Sequence, residues 1–265
     1  MTALSDVLAA TKREGRYALI GGLTVGCPSV DLSIDAMLAM VEGGCDVIEV
    51  CVPYSDPVMD GPTIQAADEI ALRAGVGLGD ALRAAKAASD AGAAVVLMTY
   101  WNMVERYGVE RFAADLAATG CSGVITPDLI PEEAAEWIAA ADKHDLDKIF
   151  LVAPSSTDDR IASTAAASRG FVYATAVMGV TGPRATVSDA AEILVRRTRE
   201  SGVDIPVCVG LGVSNREQAD TIGAYADGVI VASAFVRKLL DSPDASGVDA
   251  VRALAEELAT GARAR

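Results

Sequence analysis

Eight short runs of apolar, largely β-branched residues recur along the chain, most of them followed by a stretch with helical spacing. No other feature limits the possible folds as strongly. The runs are Tyr17–Leu23, Val47–Cys51, Ala94–Thr99, Gly123–Thr126, Lys148–Val152, Gly170–Thr175, Pro206–Gly210 and Gly228–Ala232. They are apolar at nearly every position rather than at every second one, so both faces of each strand expect cover, as in a parallel sheet. Helical spacing lies between them at Ser33–Glu42, Thr63–Ala74, Val109–Thr119, Pro131–Lys143, Asp158–Ala167, Val187–Glu200 and Asn215–Ile222. Extra helical segments fall at Ala3–Arg13, Leu78–Ala91 and Val248–Gly261. Eight β-then-α units in 265 residues predict an α/β fold, a single (β/α)8 TIM barrel with extra helices, as one domain over residues 1–265. An open doubly wound sheet is the main alternative, although it usually has fewer strands. With 51 % apolar but 5 % aromatic residues, the core is expected to be Ala, Val, Leu and Ile.

Charge and cysteine usage narrow the function. A formal charge of −15 argues against a nucleic-acid partner, which needs a basic face. It leaves room for a small phosphorylated substrate held by local backbone N–H groups. The five cysteines (Cys27, Cys45, Cys51, Cys121, Cys208) are odd in number and never form a CxxC pair. They read as reduced, buried apolar residues rather than a disulfide framework. The first residues carry no apolar segment with a cleavage site, and no apolar run approaches the ~18 residues of a membrane span. A cytoplasmic protein is expected. The one histidine, His144, sits in a polar helix end, where its charge favours the helix terminus. Ser–His, Cys–His and His-ligated zinc schemes therefore lack their central residue. No spacing clusters carboxylates as metal ligands, so no metal is expected, and a carboxylate acid/base enzyme remains.

In a barrel of this kind the chemistry lies at the C-terminal ends of the strands. Strand alternation puts Val47, Glu49 and Cys51 on one face. If that face points inward, desolvation raises the Glu49 pKa toward the range where one group both donates and accepts a proton at neutral pH. The structural alternative is a buried Glu paired with a basic residue, for which the strands offer just Arg16 and Lys148 at strand starts. Asp60, eleven positions on, precedes Gly61-Pro62, and Asp56 precedes Pro57; by spacing alone each reads as a turn residue. In the last third, glycine-rich or small-residue loops follow three strands: Met178–Pro183, Gly210–Ser214 and Val231–Ala234. Together with a helix start at Ala232–Arg237, they fit a phosphate gripped by backbone N–H groups.

The segment Asp46 to Gln65 closely resembles the signature of the tryptophan synthase alpha subunit family. The pattern SDPxxDGPTIQ matches at Ser55, Asp56, Pro57, Asp60, Gly61, Pro62, Thr63, Ile64 and Gln65. Further likenesses are Leu97–Asn102 at strand three, GVTG after strand six, GxGVS after strand seven and the stretch from Ala232 to Arg237. The resemblance implies reversible retro-aldol cleavage of indole-3-glycerol phosphate, with Glu49 as acid/base and Asp60 accepting the indole N–H. It implies Met98 and Tyr100 at the indole end, with Tyr173 near the acid/base residue. It also implies Gly182, Gly212, Val213 and Ser233 at the phosphate, and Thr181 on a mobile loop. Pro53 and Asp56 would meet a tryptophan synthase beta subunit in an alpha2beta2 heterotetramer. No cofactor is implied in this chain, pyridoxal phosphate being expected on the beta partner. The chain departs from the family pattern at Gly22, where some members place a phenylalanine nearby, at Cys27, where aspartate is frequent, and at Ala232, where glycine is frequent. A stand-alone indole-releasing lyase, a catalytically silent regulatory barrel and another phosphate-binding barrel enzyme are the competing readings.

Overall fold

The apolar runs do become parallel strands. The structure, a computed structural model, describes residues 2–175, 187–210 and 212–262. Its strands are β1 (Ala18–Thr24), β2 (Val47–Cys51), β3 (Ala94–Met98), β4 (Gly123–Ile125), β5 (Asp147–Ile149), β6 (Leu151–Val152), β7 (Val172–Thr175), β8 (Val207–Gly210) and β9 (Gly228–Val231). The first six helices are α1 (Ala3–Arg13), α2 (Val30–Glu42), α3 (Pro62–Arg73), α4 (Leu78–Asp90), α5 (Trp101–Tyr107) and α6 (Val109–Ala117). The others are α7 (Ala135–Lys143), α8 (Asp158–Ala167), α9 (Val187–Glu200), α10 (Arg216–Gly223), α11 (Ser233–Asp241) and α12 (Ala245–Ala262). Among the described residues no helix is long and apolar enough to cross a membrane.

Every strand pairing is parallel, in the order β5-β4-β3-β2-β1-β9-β8-β7-β6. The two ends of that order, β5 and β6, are halves of the expected fifth strand, interrupted at Phe150. Closure of the ring, with β1 on β9, separates this (β/α)8 TIM barrel from an open doubly wound sheet.

Strands apolar on both faces serve two layers. Ala18, Ile20, Val47, Val96, Ile125, Ile149, Phe171 and Ile230 fill the interior. Their neighbours Leu19, Ile48, Val50, Val95, Leu97 and Val124 pack outward against the helices. The floor is closed by α1, which sends Leu4 and Leu8 into the inner cluster. Thr2 caps α1 by accepting the Ser5 N–H at 3.2 Å, and its hydroxyl donates to Asp147 at 2.5 Å.

Two helices differ from expectation. Pro131–Lys143 divides into a 3-10 turn at Pro131–Glu133 and α7, because Ala134 leaves helical geometry between them. The helix α5 has no counterpart among the sequence-derived helices, since its seven residues, WNMVERY, show no Ala-rich stripe. It ends at Gly108, whose φ of +98° is a conformation that L side chains rarely adopt.

Candidate active site

Glu49 lies in the middle of β2, paired in register with Gly22 of β1 and Val96 of β3, and is 2 % exposed. Its face points into the barrel, as the alternation of Val47, Glu49 and Cys51 requires. The Cys51 thiol donates to Oε1 at 3.3 Å, while the buried Oε2 has no hydrogen-bond partner among the described residues. Burial, less the effect of that thiol and augmented by the nearby charge of Asp60, pushes its pKa up to about 7. The alternative of a Glu paired with a basic side chain fails. Arg16 is held by Asp46 and Glu14, and Lys148 pairs with Asp142.

Asp60 is held by structure on both sides of it. Its carbonyl accepts from the Gln65 side chain at 2.7 Å, and Pro62 occupies the first turn of α3. Its carboxylate accepts from the Tyr100 hydroxyl at 2.8 Å, and the same hydroxyl accepts the Val58 N–H at 3.1 Å. Tyr54 stacks on Tyr100 with ring centroids 4.5 Å apart. Tyr100, just beyond β3 at the N-cap of α5, thus ties down the loop that carries Asp60. Burial raises the Asp60 pKa, and the Tyr100 hydrogen bond opposes it. Met98, 7 % exposed, belongs to the same inner face as Glu49, as does Tyr173 of β7. Tyr173 fits because of Gly210 on the neighbouring strand: a Cβ there would come within 2.1 Å of its hydroxyl.

A third acid, Asp68, escapes the sequence reading. It is 4 % exposed on α3, close to the Tyr54 N–H, with the Thr24 hydroxyl alongside but without a well-aligned hydrogen bond. Burial first, and the Asp60 charge second, raise its pKa to about 7. The available signal was a carboxylate inside the helical stripe Ile64, Ala67, Asp68, Ala71. Cys27 feels the Asp68 charge, and burial with that charge lifts its thiol to about 11. An acid at position 27 would repel Asp68, whereas a neutral thiol does not. Among the described residues no cation offsets the charge of Glu49, Asp60 or Asp68. Among the described residues no group of three or more His, Cys, Asp or Glu side chains could hold a metal ion.

The segments expected to hold phosphate follow β8 and β9, which are adjacent strands. Gly212 adopts φ +64° with open space around its Cα, Val213 is buried, and Ser233 begins α11. Gly182 and Thr181 lie outside the described residues. The departures at Gly22 and Ala232 face each other: a Cβ on Gly22 would lie 3.0 Å from that of Ala232 and 3.5 Å from Glu49 Oε1. Pro53 is buried, whereas Asp56 is exposed and accepts from the Ser55 hydroxyl at 2.6 Å. His144 meets Glu110 at 2.9 Å on the surface, away from these groups.

Fold and site together define a class, a TIM-barrel enzyme with an acidic centre inside the C-terminal mouth. Comparison with known proteins narrows it. The sequence profile described as tryptophan synthase alpha chain matches residues 8–263. The tryptophan synthase alpha chain of Thermobifida fusca is 57 % identical over 267 residues, covering 100 % of this chain and 99 % of that one. That of Mycobacterium avium is 59 % identical over 262 residues, covering 99 % and 95 %. A tryptophan synthase structure from Mycobacterium tuberculosis superposes with a TM-score of 0.92 at 56 % identity, over 100 % of this chain and 99 % of that one. At 28 % identity the alpha subunit from Legionella pneumophila still reaches 0.88, with 98 % of each chain covered. The chain belongs to the tryptophan synthase alpha chain family. Its activity is that of a carbon–carbon lyase of tryptophan biosynthesis, the reversible retro-aldol cleavage of indole-3-glycerol phosphate to indole and glyceraldehyde 3-phosphate.

Proposed function

We propose that Glu49 is the acid/base of this cleavage and that Asp60 is its electrostatic partner. Glu49 protonates indole C3 and takes the proton of the glycerol hydroxyl as the carbon–carbon bond breaks. The observation that carries this reading is its buried carboxyl group, pushed up to about 7 with Oε2 unpartnered. Such a group is near half-ionised at neutral pH, which suits a residue that must both give and accept a proton. Asp60 accepts the indole N–H and stabilises the positive charge that develops when C3 is protonated. Met98 and Tyr173 flank the ring, with Tyr100 behind Asp60. The phosphate belongs to Gly212, Val213 and Ser233 together with Gly182, with Thr181 on the loop after β7.

The chain works as one domain and binds a beta subunit in an alpha2beta2 assembly through Pro53 and Asp56. Two features support this surface. Val58 is 75 % exposed in the same loop, and a depression of about 680 Å³ lies between the loop residues Tyr54–Pro57 and α3. The depression contains neither Glu49 nor Asp60, so it suits a macromolecular contact better than the substrate. The chain carries no cofactor, and pyridoxal phosphate belongs to the beta partner. Cytoplasm is the compartment consistent with five free cysteines.

Glu49→Gln keeps the shape and removes the titration. In the folded variant, indole release should fall by roughly 10²–10⁴-fold, the span that general acid/base groups contribute. Retention of wild-type turnover would remove Glu49 from the reaction.

A further inference from the structure

We propose that Cys51 is a positioning residue for Glu49: its thiol fixes Oε1 and leaves Oε2 as the oxygen that exchanges the proton with substrate. The inference rests on the reading of Glu49 as the acid/base. The two residues are one strand period apart on β2 and share its inward face. Sγ lies 3.3 Å from Oε1 and 3.9 Å from the carbonyl oxygen of Glu49 itself, both within reach of one S–H. Among the described residues it is the one recorded hydrogen-bond donor to this carboxylate. Oε2, with no partner among the described residues, is the oxygen left for chemistry.

The surroundings show what the thiol opposes. From the loop after β2, Asp60 repels the Glu49 anion, and burial disfavours it more strongly. Tyr173 on β7 faces Glu49, but its pKa is raised well above the usual phenol value by burial and by the Glu49 charge, so it stays neutral. Asp68 on α3 acts on Cys51, and Tyr100, at the N-cap of α5, acts on Asp60. The neighbouring strands present Gly22 and Val96 at this level, neither of them ionisable. Among the described residues Cys51 is therefore the group that favours the ionised form of Glu49, against burial and Asp60. Burial and neighbouring carboxylates hold its own pKa far above the usual range, so the proton it donates is present throughout the working pH range. A thiol is a weak donor, which biases the carboxylate without locking it in one protonation state.

The test compares wild type, Cys51→Ala and Cys51→Ser in the full chain with the beta subunit present, following indole release from indole-3-glycerol phosphate against pH. With alanine, the acidic limb of kcat/KM should move up by about 0.5–1 pH unit, the scale of one ordinary hydrogen bond, since the thiol is a weak donor. Turnover near pH 6.5 should drop several-fold while KM stays within about twofold. Serine, a stronger donor of similar size, should return the limb to the wild-type position or below it. A limb that stays put in both variants, or a serine variant that behaves like alanine, overturns the proposal. Carbon NMR titration of the Glu49 carboxyl in the three proteins gives the same answer without turnover. It keeps this test separate from the Glu49→Gln experiment, and if alanine fails to fold, Cys51→Val, which also lacks a donor, takes its place with the same expected and overturning results.

Discussion

At the scale of single residues, the site is governed by which oxygen has a partner. Tyr100 bridges the Asp60 carboxylate and the Val58 N–H, so one hydroxyl sets both the acid and its loop. Tyr100→Phe should cost about 1–2 kcal/mol of stability through the abandoned amide and carboxylate. It should also lower indole release several-fold, read as a fall in kcat/KM with the fold intact by circular dichroism; unchanged kinetics would show that Asp60 is placed by Gln65 and α3 without it. Part of this site was readable in the sequence. Glu49 stood out because an acid in an apolar strand has no cheap explanation, and the strand period gave its direction. Asp68 did not, because polar residues on helices are usually solvated, and its burial follows from how α3 leans on β1 and the Tyr54 loop. The stack of Tyr54 on Tyr100 joins residues 46 positions apart, a distance that no local pattern encodes.

At the scale of elements, the strands were legible wherever β-branched runs met glycine or polar ends, and β1 to β4 fall within one residue or so of their expected bounds. The break between β5 and β6 was hidden because Phe150 continues the apolar run and merely turns toward the helical layer. Helix α5 was hidden for the opposite reason, as a single aromatic-rich turn or two has no measurable period. The α1 plug shows what an appended element does for a barrel. Leu4 is fully buried against the inner cluster, its N–H donates to Ser122 at 3.2 Å, and Asp147 below it is held by Thr2 and Arg169. Leu4→Ala should destabilise by about 2–5 kcal/mol, the cost of truncating a buried leucine. Urea unfolding would register this as a lower midpoint, while indole release per folded molecule stays unchanged, since the plug lies at the end of the barrel opposite the acids. A loss smaller than about 1 kcal/mol would mean that the floor collapses around the gap.

For the molecule as a whole, the buried acids set a pH dependence of stability. Glu49 goes from a usual value of 4.5 to about 7 on folding, so the folded state holds its proton more tightly than the unfolded chain. Its contribution is fully present below pH 4.5 and is lost as pH rises through 7. Over that interval the loss is about 3 kcal/mol, from 1.36 kcal/mol per unit. Glu49→Gln is neutral at every pH. It should therefore be more stable than wild type by roughly that amount at pH 8, with no such gain near pH 4.5, in denaturant melts at the two pH values. Parallel stability curves would show that Glu49 is not desolvated. Asp68, also raised to about 7, makes the same kind of contribution and remains in both proteins. The pairing of β1 with β9 has a consequence for synthesis. The strand beside Glu49 leaves the ribosome with one edge bare, and the residues that cover that edge come about two hundred positions later. At 5–20 residues per second this is an interval of roughly 10–40 s. Throughout it the nascent chain carries an open, apolar strand edge of the kind that chaperones bind.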